Sequence, residues 1–300
     1  MTDKNLNIDE IVAKVTERVA ARLKDIGRDG TCVADKDSCN SCGQCASKKS
    51  ATVGKIVDLG AVRISSSMGV GARGVDTKLA SMIDHTILKP EATREDLAKI
   101  CSEAKQYGFA TVCVNSSNIP FVARQLKGSA VKPIAVVGFP LGAASTTSKV
   151  CETREAVAGG AQEIDMVINI GALKSKDYRA VYDDIKAVAE AARPHKLKVI
   201  LETSALDNGE KIAGCVLSKT AGAAFVKTST GFGGGGATVE DISLMRKIVG
   251  SDMEVKASGG IRTREDAEAM VAAGADRIGA SASIAIVTGA VQEKKAVGKY

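Results

Sequence analysis

The stretch Phe225-Val226-Lys227-Thr228-Ser229-Thr230-Gly231-Phe232, followed by the glycines at 233–236, decides how the rest of the chain is read. Ala223, Ala224, Phe225 and Val226 form a short apolar run that predicts a buried strand, so Lys227 falls where that strand ends and a mobile, glycine-rich loop begins. A lysine closing an apolar strand is partly desolvated, which lowers its pKa and makes its neutral amine nucleophilic. The pattern recurs at Met253-Glu254-Val255-Lys256-Ala257-Ser258-Gly259-Gly260. Two lysines ending successive strands predict a site in which one cation depresses the pKa of the other. The plainer alternative is a pair of solvated surface lysines.

Outward from this stretch, short apolar runs recur near residues 79–83, 110–114, 134–138, 164–168, 199–201, 223–226, 253–255 and 277–279. Between them lie helix-like stretches at 94–107, 148–159, 177–192, 209–221, 239–248 and 264–273. This alternation predicts an α/β fold, a (β/α)8 TIM barrel over residues 76–300, near the usual size of about 250 residues. The doubly wound sheet is the competing arrangement. Against it, the first β/α turn carries no G-x-G-x-x-G, and Gly138-Phe139-Pro140-Leu141-Gly142 is a different turn.

Barrel sites form at the C-terminal ends of the strands, so the polar residues ending the apolar runs are expected to converge. They are Asp84, Asn115, Asp165, Glu202, Lys227 and Lys256, with Ser281 just past the eighth strand. Asp165 stands in Glu163-Ile164-Asp165-Met166-Val167, where alternation turns a lone carboxylate into the barrel; a structural salt bridge is the alternative use for it. A carboxylate beside two lysines supplies a proton acceptor, a nucleophilic amine and a neighbouring charge to keep that amine neutral. Gly259-Gly260 and Gly279-Ala280-Ser281 each precede a helix after the seventh and eighth strands, where barrels bind phosphate through backbone N–H groups.

Composition narrows the function classes. A 45% hydrophobic chain without a run of about 18 apolar residues is expected to be globular, with no membrane span. The net charge of +6 is spread along the sequence and aromatics make up 3%, which argues against a nucleic-acid binder. Cys101, Cys113, Cys151 and Cys215 are scattered through apolar segments, and the N-terminal residues lack an apolar core, so a reducing cytoplasm is expected. Cys113, on the second strand, is read as a small buried core residue rather than a catalytic one.

The chain divides at about residue 75. Within residues 5–26, Ile8, Ile11, Val12, Val15, Val19, Leu23 and Ile26 recur at spacings of three and four, predicting an amphipathic helix capped by Asn5 or Asn7. Residues 27–75 read as a flexible linker. The helix needs a partner for its apolar stripe: its own domain, another copy or another protein. Inside the linker, Cys39, Cys42 and Cys45 at two-residue gaps, with Cys32 upstream, form an incomplete cluster motif. Zinc, an iron–sulfur cluster, a redox-sensitive disulfide and no ligand at all remain open for it.

Six segments together carry a resemblance: Asp84-His85-Thr86-Ile87-Leu88-Lys89-Pro90, Val112-Cys113-Val114-Asn115, Val137-Gly138-Phe139-Pro140-Leu141-Gly142, Glu163-Ile164-Asp165-Met166-Val167, Val226-Lys227-Thr228-Ser229-Thr230-Gly231-Phe232 and Lys256-Ala257-Ser258-Gly259-Gly260-Ile261-Arg262. In order, and across residues 78–288, they resemble the deoxyribose-phosphate aldolases. The resemblance implies a class I aldolase that needs no cofactor and reversibly cleaves 2-deoxy-D-ribose 5-phosphate to D-glyceraldehyde 3-phosphate and acetaldehyde. It implies that Lys227 forms the Schiff base and that Asp165 and Lys256 relay protons. Gly259, Gly260, Gly279 and Ser281 would bind phosphate, with Thr230 nearby on the lysine loop. Phe232 and Ala282 stand where some relatives carry a lysine and a second serine. A homo-oligomer is expected.

The resemblance leaves residues 1–75 unexplained. An amphipathic N-terminal helix on a long linker is similar to the encapsulation peptides that direct enzymes into bacterial microcompartments, which implies shell or cargo proteins as partners of residues 5–26. Two further readings compete: a scaffold or redox-responsive interaction protein resting on the helix and cysteines alone, and a Schiff-base aldolase for a different phosphorylated sugar.

Overall fold

The computed structural model describes residues 7–26 and 75–289. Eight parallel strands close into a barrel in sequence order, β1 pairing with both β2 and β8. They are β1 (Ile83–Thr86), β2 (Thr111–Asn115), β3 (Lys132–Val137), β4 (Glu163–Val167), β5 (Lys196–Ile200), β6 (Phe225–Lys227), β7 (Glu254–Ser258) and β8 (Arg277–Ala280). Helices α3 (Arg94–Tyr107), α4 (Ile119–Leu126), α5 (Thr146–Ala158), α7 (Tyr178–Ala192), α8 (Asn208–Thr220), α9 (Val239–Val249), α10 (Arg264–Ala272) and α11 (Ser283–Thr288) surround it. Among the described residues, α1 (Ile8–Ile26), α2 (Thr77–Ala80) and α6 (Ile170–Lys174) are further α-helical pieces, shorter or N-terminal.

Strand alternation divides the interior into two zones. Ile164, Met166, Leu197, Val199, Val226, Val255, Ala257 and Ile278 belong to one large core under the helices. Their neighbours Asp165, Lys198, Lys227, Lys256 and Arg277 therefore face the barrel axis, since successive side chains point to opposite faces. A second, small apolar cluster of Leu88, Cys113, Ile134 and Val136 fills one side of the axis, with Phe139 and Phe232 against it. The helices begin where polar side chains can hold their first N–H groups: Thr93, Asp207 and Thr263 each make a reciprocal capping box for α3, α8 and α10.

The first strand lies later than its apolar run suggests. Most of residues 79–83 belongs to α2 and the turn after it, because the Asp76 carboxylate accepts the Leu79 N–H at 2.9 Å and starts a helical turn that buries Leu79 and Ala80. β1 starts at Ile83, and Asp84 is inside the strand rather than beyond its end. Helix α4 has no counterpart among the expected helices: it is only eight residues long and starts at a proline-bearing turn.

Helix α1 is docked on the barrel's own α-layer, against α7 and α8. Asn7 caps it, its side-chain oxygen accepting the Glu10 N–H at 3.1 Å. Ile8 and Val12, four residues apart, are 3% and 2% exposed, and Ile11 and Val15 pack beside them half-buried. Each fully buried aliphatic side chain of this kind contributes about 1.5–3 kcal/mol. The side chains of Val19, Leu23 and Ile26 lie outside the described residues, as do the 27–74 segment and Cys32, Cys39, Cys42 and Cys45.

Candidate active site

Asp165 is the hub of a buried ion network on the barrel axis. Its Oδ2 accepts from Lys227 Nζ at 3.0 Å and from Lys256 Nζ at 2.8 Å, while Oδ1 accepts from Lys198 Nζ at 2.9 Å. Lys256 also pairs with Asp84 at 2.5 Å, and Lys198 with Glu163 at 2.5 Å. Arg277 closes the circuit, 2.7 Å from Asp84 and 3.6 Å from Glu163. The Thr111 hydroxyl donates to Asp84 at 2.7 Å. All three lysines are at most 3% exposed, so water screens these charges little.

Setting aside Lys132, which is 3.7 Å from Glu163 but half exposed to solvent, four cations (Lys198, Lys227, Lys256, Arg277) face three carboxylates (Asp84, Glu163, Asp165) within this network. An uncompensated buried charge is costly, so one cation is pressed to give up its proton. Arg277 cannot, because guanidinium does not deprotonate in proteins. Lys198 and Lys256 each contact two carboxylates, whereas Lys227 contacts only Asp165, an oxygen it shares with Lys256. Lys227 is the least compensated cation.

The titration tendencies follow the same logic. Burial and the neighbouring Lys256 charge lower the Lys227 pKa, and Asp165 offsets them only in part. Burial also acts to lower Lys256, but Asp165 and Asp84 outweigh it and the pKa is raised. Lys198 is raised as well, Asp165 and Asp84 overcoming its desolvation. Burial pushes the Asp165 carboxyl up, yet Lys198, Lys256 and Lys227 together hold it well below the ordinary carboxylate range. Cys113, wholly buried nearby, is pushed up to about 11 by burial and stays a thiol.

Above the network a pocket opens at the C-terminal strand ends. Lys227, Thr230, Gly259, Gly279 and Ser281 all line it, whereas Asp165, Lys256 and Gly260 do not. Asp165 and Lys256 reach it through Lys227, one layer deeper. The glycines have steric reasons: a Cβ on Gly279 would lie 2.3 Å from Ser258 Oγ and 3.0 Å from Lys256 Cε. Gly279 therefore leaves the room that Lys256 fills. Gly259 and Gly260 take left-handed backbone at φ 87° and 79°. The loop after β6 is closely packed as well, since a Cβ on Gly236 would lie 2.6 Å from the Gly259 carbonyl oxygen.

Of the polar residues expected to converge, Asp84, Asp165, Lys227 and Lys256 form one network. Asn115 instead donates to the Leu88 carbonyl at 3.2 Å, holding the loop after β1. Lys198, Glu163 and Arg277 are absent from the expected set. Glu163 opens β4 and Lys198 lies in the middle of β5, so neither closes an apolar run at a C-terminal strand end, and the alternation Lys196-Leu197-Lys198-Val199-Ile200 is the signal that reveals an inward lysine.

Residues 78–294 match the DeoC/LacD family aldolases. The chain is 59% identical to a deoxyribose-phosphate aldolase of Clostridium perfringens over 217 residues, 72% of this chain and 97% of that protein. It is 57% identical to one of Streptococcus sanguinis over 223 residues, covering 74% and 100% respectively. Among solved structures, a tetrameric deoxyribose phosphate aldolase of Aeropyrum pernix aligns with a TM-score of 0.67 and 34% identity over 70% of this chain and 90% of that one. A closed eight-stranded barrel with buried lysines on its axis, matched along its length at this identity, belongs to the DeoC/LacD family of aldolases.

Proposed function

We propose that residues 76–300 form a class I aldolase domain that reversibly cleaves 2-deoxy-D-ribose 5-phosphate to D-glyceraldehyde 3-phosphate and acetaldehyde, with Lys227 as the Schiff-base lysine. The observation that carries this reading is the position of Lys227 as the least compensated cation of the network, facing the pocket. Neutral Lys227 Nζ adds to the C1 aldehyde of the open-chain sugar, and loss of water gives a protonated imine. A base takes the C3 hydroxyl proton, the C2–C3 electron pair flows to C1 and nitrogen, and glyceraldehyde 3-phosphate departs. The enamine left on Lys227 is protonated at C2, and water hydrolyses the resulting imine to acetaldehyde and free amine.

Asp165 and Lys256 form the proton relay. At rest the proton sits on Lys256, whose pKa is raised, and Asp165 is ionised. Asp165 Oδ2 lies within hydrogen-bond reach of both lysine nitrogens, so it can pass a proton between Lys256 and the group that replaces the Lys227 amine as the imine forms and is hydrolysed. Gly259, Gly260, Gly279 and Ser281 bind the phosphate, with Thr230 beside them in the substrate site. Release of glyceraldehyde 3-phosphate from 2-deoxyribose 5-phosphate, followed by a coupled dehydrogenase, tests the reading. Lys227→Ala and Lys227→Arg are both expected to abolish turnover, the latter because guanidinium stays protonated. Appreciable activity in either variant would contradict it.

Residues 1–26, by the same reading, are a separate interaction segment joined through the 27–75 linker. They bind shell or cargo proteins of a bacterial microcompartment, where a volatile and reactive aldehyde is confined. The amphipathic spacing supports this, and docking on α7 and α8 occupies Ile8 and Val12, so partner binding requires release of the helix. Co-purification with shells by the full chain, lost on deletion of residues 1–26, is the expected result. Cys32, Cys39, Cys42 and Cys45 are assigned to zinc or an iron–sulfur cluster, and metal analysis of the full chain with and without Cys39→Ser and Cys42→Ser checks this. The chain forms a homo-oligomer in this reading, which the tetrameric structure of the Aeropyrum relative supports.

A further inference from the structure

Glu202 carries two features that the aldolase chemistry does not use. It is one of two non-glycine residues among those described with left-handed backbone, at φ 58°, and its carboxylate is buried, with 5% of the residue exposed. The backbone shows why. Beyond β5 and β6 the ladder continues from Leu201 N–H to Lys227 O at 2.9 Å, then from Thr203 N–H to Thr228 O at 3.0 Å. Two residues advance on one side for one on the other. Glu202 is thus the extra residue of a bulge, a device that bends a strand and re-aims a side chain.

The bulge aims the carboxylate across the top of β6. Oε2 accepts the Thr230 N–H at 3.1 Å and the Thr230 hydroxyl proton in a short bond. The Thr230 hydroxyl oxygen in turn accepts the Phe232 N–H at 3.0 Å. A Cβ on Gly233 would lie 2.7 Å from the Glu202 carboxyl carbon, so the glycine run gives the carboxylate its place. Thr230 stands three residues after Lys227 and lines the same pocket.

We propose that Glu202 is a positioning residue that sets the hydrogen-bond polarity of the substrate site: it turns the Thr230 hydroxyl proton away from the pocket. A threonine hydroxyl has one proton and two lone pairs. Its proton goes to Glu202 and one lone pair to Phe232 N–H, which leaves a single acceptor lone pair toward the substrate. Thr230 then receives a hydrogen bond from a sugar hydroxyl and cannot donate one to a phosphate oxygen, which carries no proton to give in return. This assignment rests on the aldolase reading above and deepens it.

Steady-state kinetics on 2-deoxyribose 5-phosphate, with thermal unfolding of each variant, test it. Glu202→Gly removes the carboxylate while its backbone tolerates the left-handed conformation, so the fold is retained. It is expected to raise KM or lower kcat/KM by about tenfold or more, as small displacements of positioning groups do. Glu202→Gln keeps an acceptor oxygen and recovers part of that loss. In a Thr230→Val background, Glu202→Gly adds little, because both changes remove one interaction. Wild-type-like KM and kcat in Glu202→Gly, or full additivity with Thr230→Val, would overturn the assignment while leaving the aldolase reading intact. A wild-type chain that does not cleave the substrate would overturn both.

Discussion

Lys227 and Lys256 are direct neighbours across β6 and β7, paired in register, and both donate to the same oxygen of Asp165, at 3.0 and 2.8 Å. One carboxylate oxygen cannot fully compensate two ammonium groups. Lys256 has Asp84 as a second partner and Lys227 has none in the network, so the shared oxygen decides which lysine is neutral.

The charge balance predicts opposite effects from two buried neighbours of the site. Lys198→Met removes a cation that pairs with Asp165 and Glu163, so a protonated Lys227 is needed to restore balance and its pKa rises. The acid limb of the kcat/KM profile should move to higher pH by on the order of one unit. Glu163→Gln removes a carboxylate and should move the same limb to lower pH. Shifts of the same sign in both variants would rule out charge balance as the control.

Asp165→Asn should be costly to the fold as well as to turnover. In the folded state the Asp165 pKa is depressed, so the carboxylate contributes stability that is fully present above its unfolded value and is lost as pH falls through the folded one. The variant leaves three lysines around a neutral amide, and breaking such a buried set costs about 3–5 kcal/mol near neutral pH. Its stability should also fall less steeply in acid than that of the wild type. Denaturant unfolding at a series of pH values measures both.

Gly279→Ala places a methyl group against Ser258 Oγ and the Lys256 side chain. Overpacking of this kind costs about 1–3 kcal/mol, and here it also displaces Lys256 from Asp165. The expected outcome is a folded protein with strongly reduced kcat. An unchanged kcat would show that Lys256 need not sit where Gly279 admits it.

Val12→Asp, on the buried face of α1, should release the helix from α7 and α8 and lower the unfolding temperature while leaving kcat unchanged, because the docking face is on the outer layer of the barrel. Limited proteolysis should then cut within residues 7–26, which the docked helix resists.

The barrel was legible because its strands alternate so regularly: Ile164 and Met166 belong to the outer core while Asp165 faces the axis, a pattern visible in the letters alone. The boundaries of β1 were not, since the apolar run at 79–83 serves a helical turn once Asp76 caps it. Lys227, Asp165 and Lys256 stood out because each interrupts or closes an apolar run. Glu163 and Arg277 did not, because each opens its strand, where a charged residue reads as solvated, and Lys198 did not because it precedes the apolar run at 199–201 instead of closing it. Glu202 was visible only as a strand-end acid. Its bulge depends on how β5 and β6 pair, which no local pattern encodes.

The most direct test of the central claim is borohydride reduction of the full chain in the presence of 2-deoxyribose 5-phosphate, followed by peptide mass mapping. A single reduced adduct on Lys227, dependent on the sugar phosphate, is the result the charge balance predicts. An adduct on Lys256 or Lys198 instead, or none on a folded protein, would contradict it.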